Sequence, residues 1–132
     1  MKLRLSEIAH ARSGDKADNA DIGLFAWEPL GYALLAQHVS AEQLNIYFAH
    51  LWPSSDAAPS IAAVRVERFD MPNLLALKFV LRGALNGGAA SSLRSDNLGK
   101  TIAAQLLRMN IEVDDAQGAS ALQATQAEIS RF

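Results

Sequence analysis

The sequence has no cysteine, no long apolar run and no excess of basic charge. Without cysteine there is no disulfide, no thiolate metal site and no cysteine nucleophile, which suits a reducing compartment. The 12 basic and 14 acidic residues give a net charge of −2, so charge does not favour binding to a nucleic-acid backbone. The N-terminal residues lack the apolar core of a signal peptide, and no stretch approaches the roughly 18 apolar residues of a membrane span. We therefore expect a cytoplasmic protein without nucleic-acid or membrane partners.

Apolar residues recur with periods typical of strands and helices along a chain of 132 residues, which fits one domain. The predicted elements are a strand at 3–9, helices at 30–39 and 41–52, strands at 61–71 and 73–85, a helix at 97–110 and a strand at 111–113. Ser40 is predicted to cap the second helix, and Ser95 or Asp96 the third. This order indicates an α+β protein, a ferredoxin-like sandwich with a four-stranded antiparallel sheet and helices on one face.

We place the domain at residues 1–113 and a C-terminal extension at 114–132. The extension is rich in Ala, Gln and Ser and is either a surface helix or a partly ordered segment. The sheet face without helices must be polar or covered. We expect Phe69 and Phe79 to bury that face in a homo-oligomer.

The first chemistry-bearing stretch is ARSGDKADNADIG at 11–23. It carries five charged side chains, Arg12, Asp15, Lys16, Asp18 and Asp21. A calcium-binding EF-hand loop fails because alanine stands where the glycine is required and no glutamate follows at the right distance. Three interpretations stay open: a magnesium site through Asp15 and Asp18, a turn stabilised by Asx hydrogen bonds, and one half of a binding site.

The second stretch is GGAASSLRSDNLGKT at 87–101. Its end is similar to the phosphate-binding loop of nucleoside triphosphatases, but Arg94 replaces the first glycine and Lys100 falls inside the predicted helix. That class of enzyme is therefore disfavoured. A glycine-rich approach, a helix N-terminus and two cations would still favour a small anion. Alternatively, Arg94 pairs with Asp96 and the lysine is an ordinary exposed residue.

Few other residues indicate chemistry. His10 adjoins the first charged stretch and could act as a general acid or base. The other two histidines lack metal-ligand spacing, and a hydrolase triad cannot be inferred. Trp27 and Trp52 are expected to anchor the core or an interface. We predict no metal and no cofactor.

The two stretches together resemble the small domain at the C-terminus of AtuA, the acyclic terpene utilisation protein, and its stand-alone relatives. Residues that match the early motif are Ser13, Gly14, Asp15, Lys16, Asp18, Ile22 and Gly23; those that match the late motif are Gly87, Gly88, Ser92, Leu93, Arg94, Asp96, Gly99 and Lys100. The sequence departs from the family pattern at Ala17, Asp21 and Trp27. The resemblance implies a ferredoxin-like fold and a link to the breakdown of terpenoid or branched acids as acyl-CoA thioesters.

Two functional hypotheses follow. The first is a binding or assembly module with a composite polar site for an anion, working as a homo-oligomer or with a larger AtuA-type subunit. Its ligand-binding residues would be Arg12, Ser13, Lys16, Asp18, Ser92, Arg94, Asp96 and Lys100. The second is a small hydratase or isomerase in which Asp15 or His10 is the base. A third, structural reading has Asp15 and Arg94 paired with each other as a lock.

Overall fold

The fold is described from a computed structural model over residues 1–16, 19–49, 65–83 and 95–132. The strands in these ranges are β1 Lys2–Arg4, β2 Ala9–Lys16, β3 Asn19–Ala26, β4 Val66–Met71, β5 Ala76–Leu81 and β6 Asn110–Glu112. The helices are α1 Pro29–His38, α2 Ala41–Tyr47, α3 Ser95–Leu107 and α4 Asp115–Ile129, with 3-10 turns at Leu5–Glu7 and Pro72–Leu74. The Pro/Ser-rich stretch at 52–60 and the Gly/Ser-rich stretch at 86–94, both typical of loops in composition, lie outside the described residues.

Four strands form an antiparallel sheet in the order β2-β3-β5-β4. β3 and β4 run parallel with β5 between them, and α1 and α2 connect them, which makes a split β-α-β unit. The predicted α+β class and the four-stranded antiparallel sheet are thus both observed. The predicted membership of the strands in this sheet, however, needs two corrections.

The first correction concerns the charged stretch at 11–23, which is a β-hairpin. Strands β2 and β3 pair along their whole length, from Ala9 opposite Ala26 to Lys16 opposite Asn19. The predicted opening strand at 3–9 is divided between β1, a 3-10 turn and the first residue of β2. Charged residues and glycines occupy much of this stretch, so the alternation of apolar residues that indicates a strand is not evident there.

The second correction concerns the predicted closing strand at 111–113. It is β6, and it pairs with β1 in a separate two-stranded ribbon rather than joining the main sheet. The edge place beside β3 is occupied by β2 instead. Strands of three residues carry too little sequence pattern to show which strand they pair with.

The core lies between the main sheet and the helices. Burial alternates along β3, where Ala20, Ile22, Leu24 and Ala26 are buried, and β5 contributes Leu77, Phe79 and Leu81 to the same side. Helices α1 and α3 pack on this side, and α2 packs on β4. The prediction that Phe79 covers the helix-free face is therefore wrong, because its ring is fully buried under the helices.

Helices α1 and α2 each begin after a residue whose side chain caps the first turn. Ser40 caps α2 as predicted, in a capping box with Gln43. Helix α1 is capped by the buried Glu28, whose carboxylate accepts hydrogen bonds from the backbone amides of Leu30 and Gly31. Helix α3 begins at Ser95, and the side chains of Ser95 and Asp96, the predicted caps, lie outside the described structure.

The C-terminal residues form an ordered helix, α4, which packs against α1. Asp114 caps it, and its buried side is made of small residues, Gly118, Ala121 and Thr125. The absence of a side chain at Gly118 leaves room for Met1 and for Val113, whose Cγ2 would lie 2.9 Å from a Cβ at this position. Of the two alternatives for this segment, the structure shows the helix.

Candidate functional site

The helix-free face of the main sheet carries the candidate site. Alternation along the strands assigns His10, Arg12 and Gly14 of β2 to this face, together with Asn19, Asp21, Gly23 and Phe25 of β3, Lys78 and Val80 of β5, and Glu67, Phe69 and Met71 of β4. In the strand register, Arg12, Gly23, Lys78 and Phe69 form one row across the sheet. The face carries both charged and apolar side chains, and none of the described helices packs on it.

The row contains two cations with a glycine between them. Arg12 and Lys78 both pair with Gly23, one from each side, so their Cα atoms are two strand spacings, roughly 10 Å, apart. Neither side chain forms a salt bridge with a described residue. Glu67, by contrast, is paired with Arg82. The centre of the face therefore offers two cations to an outside group.

A shallow depression of about 300 Å³ lies at this point. Its lining residues are Arg12, Ser13, Gly14, Asp21, Gly23, Phe25, Met71 and Lys78. Glycines on two strands leave the bottom of the depression without side chains at these positions. A Cβ at Gly14 would lie 3.3 Å from Asp21 Oδ1, and a Cβ at Gly23 would lie 2.9 Å from Phe25 Cε2. The two cations and one carboxylate of the lining give it a positive balance.

Aromatic rings continue from the depression toward one end of the sheet. The His10 imidazole stacks on the Phe25 ring, with centroids 5.3 Å apart and planes 14° apart. Trp27 lies 4.8 Å from His10 between centroids, and Phe132 lies 6.3 Å from Trp27. Trp27 is half-buried, so it is an anchor of this aromatic group rather than of the core.

His10 is neutral at physiological pH. Partial removal from water lowers the pKa of His10 below its usual value, and the nearby Arg12 guanidinium lowers that pKa further. A neutral imidazole can accept a proton or stack without adding charge. None of the described carboxylates forms a salt bridge with it, so no described acid orients it as a catalytic base.

The end of the hairpin and the start of α3 come to the same end of the sheet. Helix α3 packs on β2, and its C-terminal end is fixed at the opposite end by a 2.9 Å hydrogen bond from the Leu5 amide to the Met109 carbonyl. At the hairpin end, the Gly83 amide donates to Asn19 Oδ1 at 2.9 Å, so β5 also leaves the sheet there. The described start of α3 thus lies at the hairpin end of β2.

The predicted site residues divide into three groups. Arg12 lies on the helix-free face and lines the depression, whereas alternation assigns Ser13 to the opposite face, although it also borders the depression at the sheet edge. Asp15 and Lys16 belong to β2 and Asp96 and Lys100 to α3, but their side chains lie outside the described structure. Asp18, Ser92 and Arg94 lie wholly outside it. The composite site, the magnesium reading and the Asp15–Arg94 lock therefore stay predictions.

Of the residues that line the depression, only Arg12 and Ser13 were predicted to bind a ligand. The six that were not predicted are Gly14, Asp21, Gly23, Phe25, Met71 and Lys78. Lys78 sits at a polar position within an apolar strand pattern, LALKFVL, which is an available signal for a cation on an open sheet face. Phe25 and Met71 gave no signal, because their exposure depends on which face the helices cover.

A second cavity, of about 320 Å³, lies in the helix layer between α1 and α4. Its lining residues are Leu30, Ala33, Leu34, Gln37, Ala116, Gln117 and Ser120. It is mostly apolar and none of its lining residues is charged. No charged side chain of its lining could therefore neutralise an anion, and the sheet face is the better candidate for an anionic ligand.

The described residues define an α+β domain built on a split β-α-β unit, with a charged depression on its open sheet face. A scan against family models matches the AtuA ferredoxin-like domain over residues 3–112. The chain belongs to this family, and the resemblance noted in the two motifs is confirmed. Searches of curated proteins and of solved structures found no match. None of the described helices is long and apolar enough to cross a membrane.

Proposed function

We propose that this domain is a binding module that holds a small anion on its open sheet face. The observation that carries the proposal is the pair of cations, Arg12 and Lys78, on either side of Gly23 above a depression of about 300 Å³. Neither cation is neutralised by a described carboxylate. Two cations that converge on one depression attract a carboxylate or a phosphate more strongly than a single exposed cation does.

The ligand class fits what the family resemblance implies. Acyl-CoA thioesters carry phosphate groups on their CoA moiety, and the free acids carry a carboxylate. Both therefore offer the negative charge that the depression would recognise. The second motif would add to the site from the hairpin end through Arg94 and Lys100. Assembly with a second copy or a larger AtuA-type subunit stays a prediction.

The enzyme hypothesis has less support. His10 is neutral and so able to accept a proton, but it stacks on Phe25 and has no described carboxylate partner. It borders the row that contains Arg12 without lining the depression. A general base must reach the proton it removes, and His10 sits beside the place where an anion would bind.

A thermal-shift titration with inorganic phosphate and with acetate tests the proposal. We expect both anions to raise the melting temperature of the unmodified chain. Lys78→Ala and Arg12→Ala should each lose most of that rise, and high salt should weaken it because exposed charges are screened.

Matched controls separate the site from general charge. Lys2→Ala removes an exposed lysine of β1, in the other sheet, and Arg108→Ala removes an exposed arginine after α3. Both should keep the full response. Equal responses in the Lys78 and Lys2 variants, or no response to either anion, would contradict the proposal.

A further inference from the structure

An aromatic ring forms part of the floor of the depression. The absence of a side chain at Gly23 lets the Phe25 ring settle over that residue, since a Cβ there would lie only 2.9 Å from ring carbon Cε2. The ring is half-buried and lines the depression together with Met71. Its partly open surface is therefore available to a ligand that enters the depression.

The cations flank this ring. Arg12 and Lys78 occupy the same cross-strand row as Gly23, over which the ring lies. The His10 imidazole, opposite Phe25 in the strand register, stacks on the Phe25 ring with 14° between the two planes. An inorganic anion would contact the cations but leave the aromatic and thioether surfaces unused.

The geometry points to a ligand that joins a planar aromatic ring to a carboxylate or phosphate group. The ring stacks on Phe25, and the anionic group lies between Arg12 and Lys78. This inference rests on the proposed anion site and adds that the rest of the ligand is an aromatic ring. A depression of about 300 Å³ is at the lower end of the size range of small-molecule sites, roughly 300–1,000 Å³, and suits a ligand of one or two rings.

Single-stranded nucleic acid uses related chemistry, but it needs a basic groove along successive stacking residues. Here Asp21 lies within the lining, and the whole chain carries a net charge of −2. The site is therefore assigned to a small aromatic anion.

Two matched pairs of probes test the inference by calorimetric titration: benzoate against acetate, and phenyl phosphate against inorganic phosphate. The charged group is shared within each pair, so the ratio of affinities reports the ring alone. Stacking of one ring on an aromatic side chain predicts at least about fivefold tighter binding of each aromatic probe. Phe25→Leu should reduce that ratio to about one while the two inorganic or aliphatic anions still bind.

Phe69→Leu is the control, because Phe69 is 47% exposed on the same sheet face yet does not line the depression; it should keep the full ratio. Gly23→Ala, which displaces the Phe25 ring without removing it, should lower the ratio if Phe25→Leu fails to fold. A fluorescence titration in a Trp52→Phe background, where Trp27 is the remaining tryptophan, should show a change with the aromatic probes.

The outcomes separate this inference from the proposed function. Equal affinities within both pairs, with binding that still depends on Lys78, would overturn the aromatic ligand and leave the anion site intact. No binding of any of the four probes would overturn both. A ratio that survives Phe25→Leu would also contradict the stacking position assigned to the ring.

Discussion

The two faces of the main sheet are made from the same strands and yet follow different rules. On the covered face the side chains of β3 and β5 are almost all aliphatic or aromatic and fully buried. On the open face the same strands present Asp21, Gly23, Phe25 and Lys78. An antiparallel sheet tolerates water on one side, so the open face is free to carry charge, glycine and partly exposed rings. The covered face explains stability, and the open face is the proposed binding surface.

Two phenylalanines on neighbouring strands give the largest expected contrast. Phe79 of β5 is fully buried under the helices, whereas Phe69 of β4 is 47% exposed on the open face. Phe79→Ala should reduce the free energy of unfolding by about 3–5 kcal/mol, because it leaves a cavity in the core. Phe69→Ala should change it by less than about 0.5 kcal/mol. Urea denaturation measures both changes, and equal losses of stability would contradict the expected difference between the two faces.

The cap of α1 should have the next largest effect, because it holds a covering helix in place. Glu28 is 7% exposed and accepts hydrogen bonds from two backbone amides at the helix start. Glu28→Ala should cost about 1–2 kcal/mol of stability through loss of the cap. Glu42→Ala, an exposed acid in the first turn of α2, is the control and should change stability little. A loss no greater than that of the control would show that the cap is dispensable.

A smaller effect of opposite sign is expected in the helix layer. Thr125 Oγ1 is buried in α4 and makes no hydrogen bond among the described residues. Thr125→Val keeps the shape and removes the unpaired hydroxyl, so it should raise the free energy of unfolding by about 1 kcal/mol. Thr125→Ser, which keeps the hydroxyl and loses the methyl group, should lower it. Chemical denaturation decides, and a destabilised valine variant would indicate that the hydroxyl is satisfied.

The smallest effect should come from His10 on the open face. Its folded-state pKa lies below the unfolded value of 6.5, so the folded chain favours the neutral ring. The stability that this ring contributes is present above about pH 6.5 and falls as the pH drops through 6.5 toward the lowered pKa. His10→Phe keeps the stack with Phe25 and should remove this part of the pH dependence. Melting temperatures from pH 5 to pH 8 measure it, and unchanged curves would show that His10 is not perturbed.

Much of the covered face could be predicted from the sequence. The apolar stripes of α1, α2 and α3 and the alternation in β5 follow directly from core packing. The hairpin at 11–23 could not be recognised, because its outward positions are charged and glycine-rich and so give the composition of a loop. The pairing of β1 with β6 joins residues more than 100 positions apart over three residues each. Such short, distant pairing carries no local pattern.

The candidate site shows the same division. Arg12 was predicted because it lies within a short charged stretch that is evident in the sequence. Lys78 was missed because it lies 55 positions after Gly23, and only the sheet register makes them neighbours. Phe25 lies in the apolar run DIGLFAW at 21–27, which is consistent with a strand end or a buried segment. Its role depends on the missing side chain at Gly23 and on which face the helices cover, and neither follows from the residue types alone.

If the open face, and not the helix layer, holds the ligand, amide chemical-shift mapping of the isotope-labelled chain during titration with benzoate and with inorganic phosphate should show it. We expect the largest shifts at Arg12, Gly14, Gly23 and Lys78, and we expect them to disappear in Lys78→Ala. Shifts concentrated around Leu34 and Gln117, in the cavity between α1 and α4, or an unchanged spectrum, would contradict it.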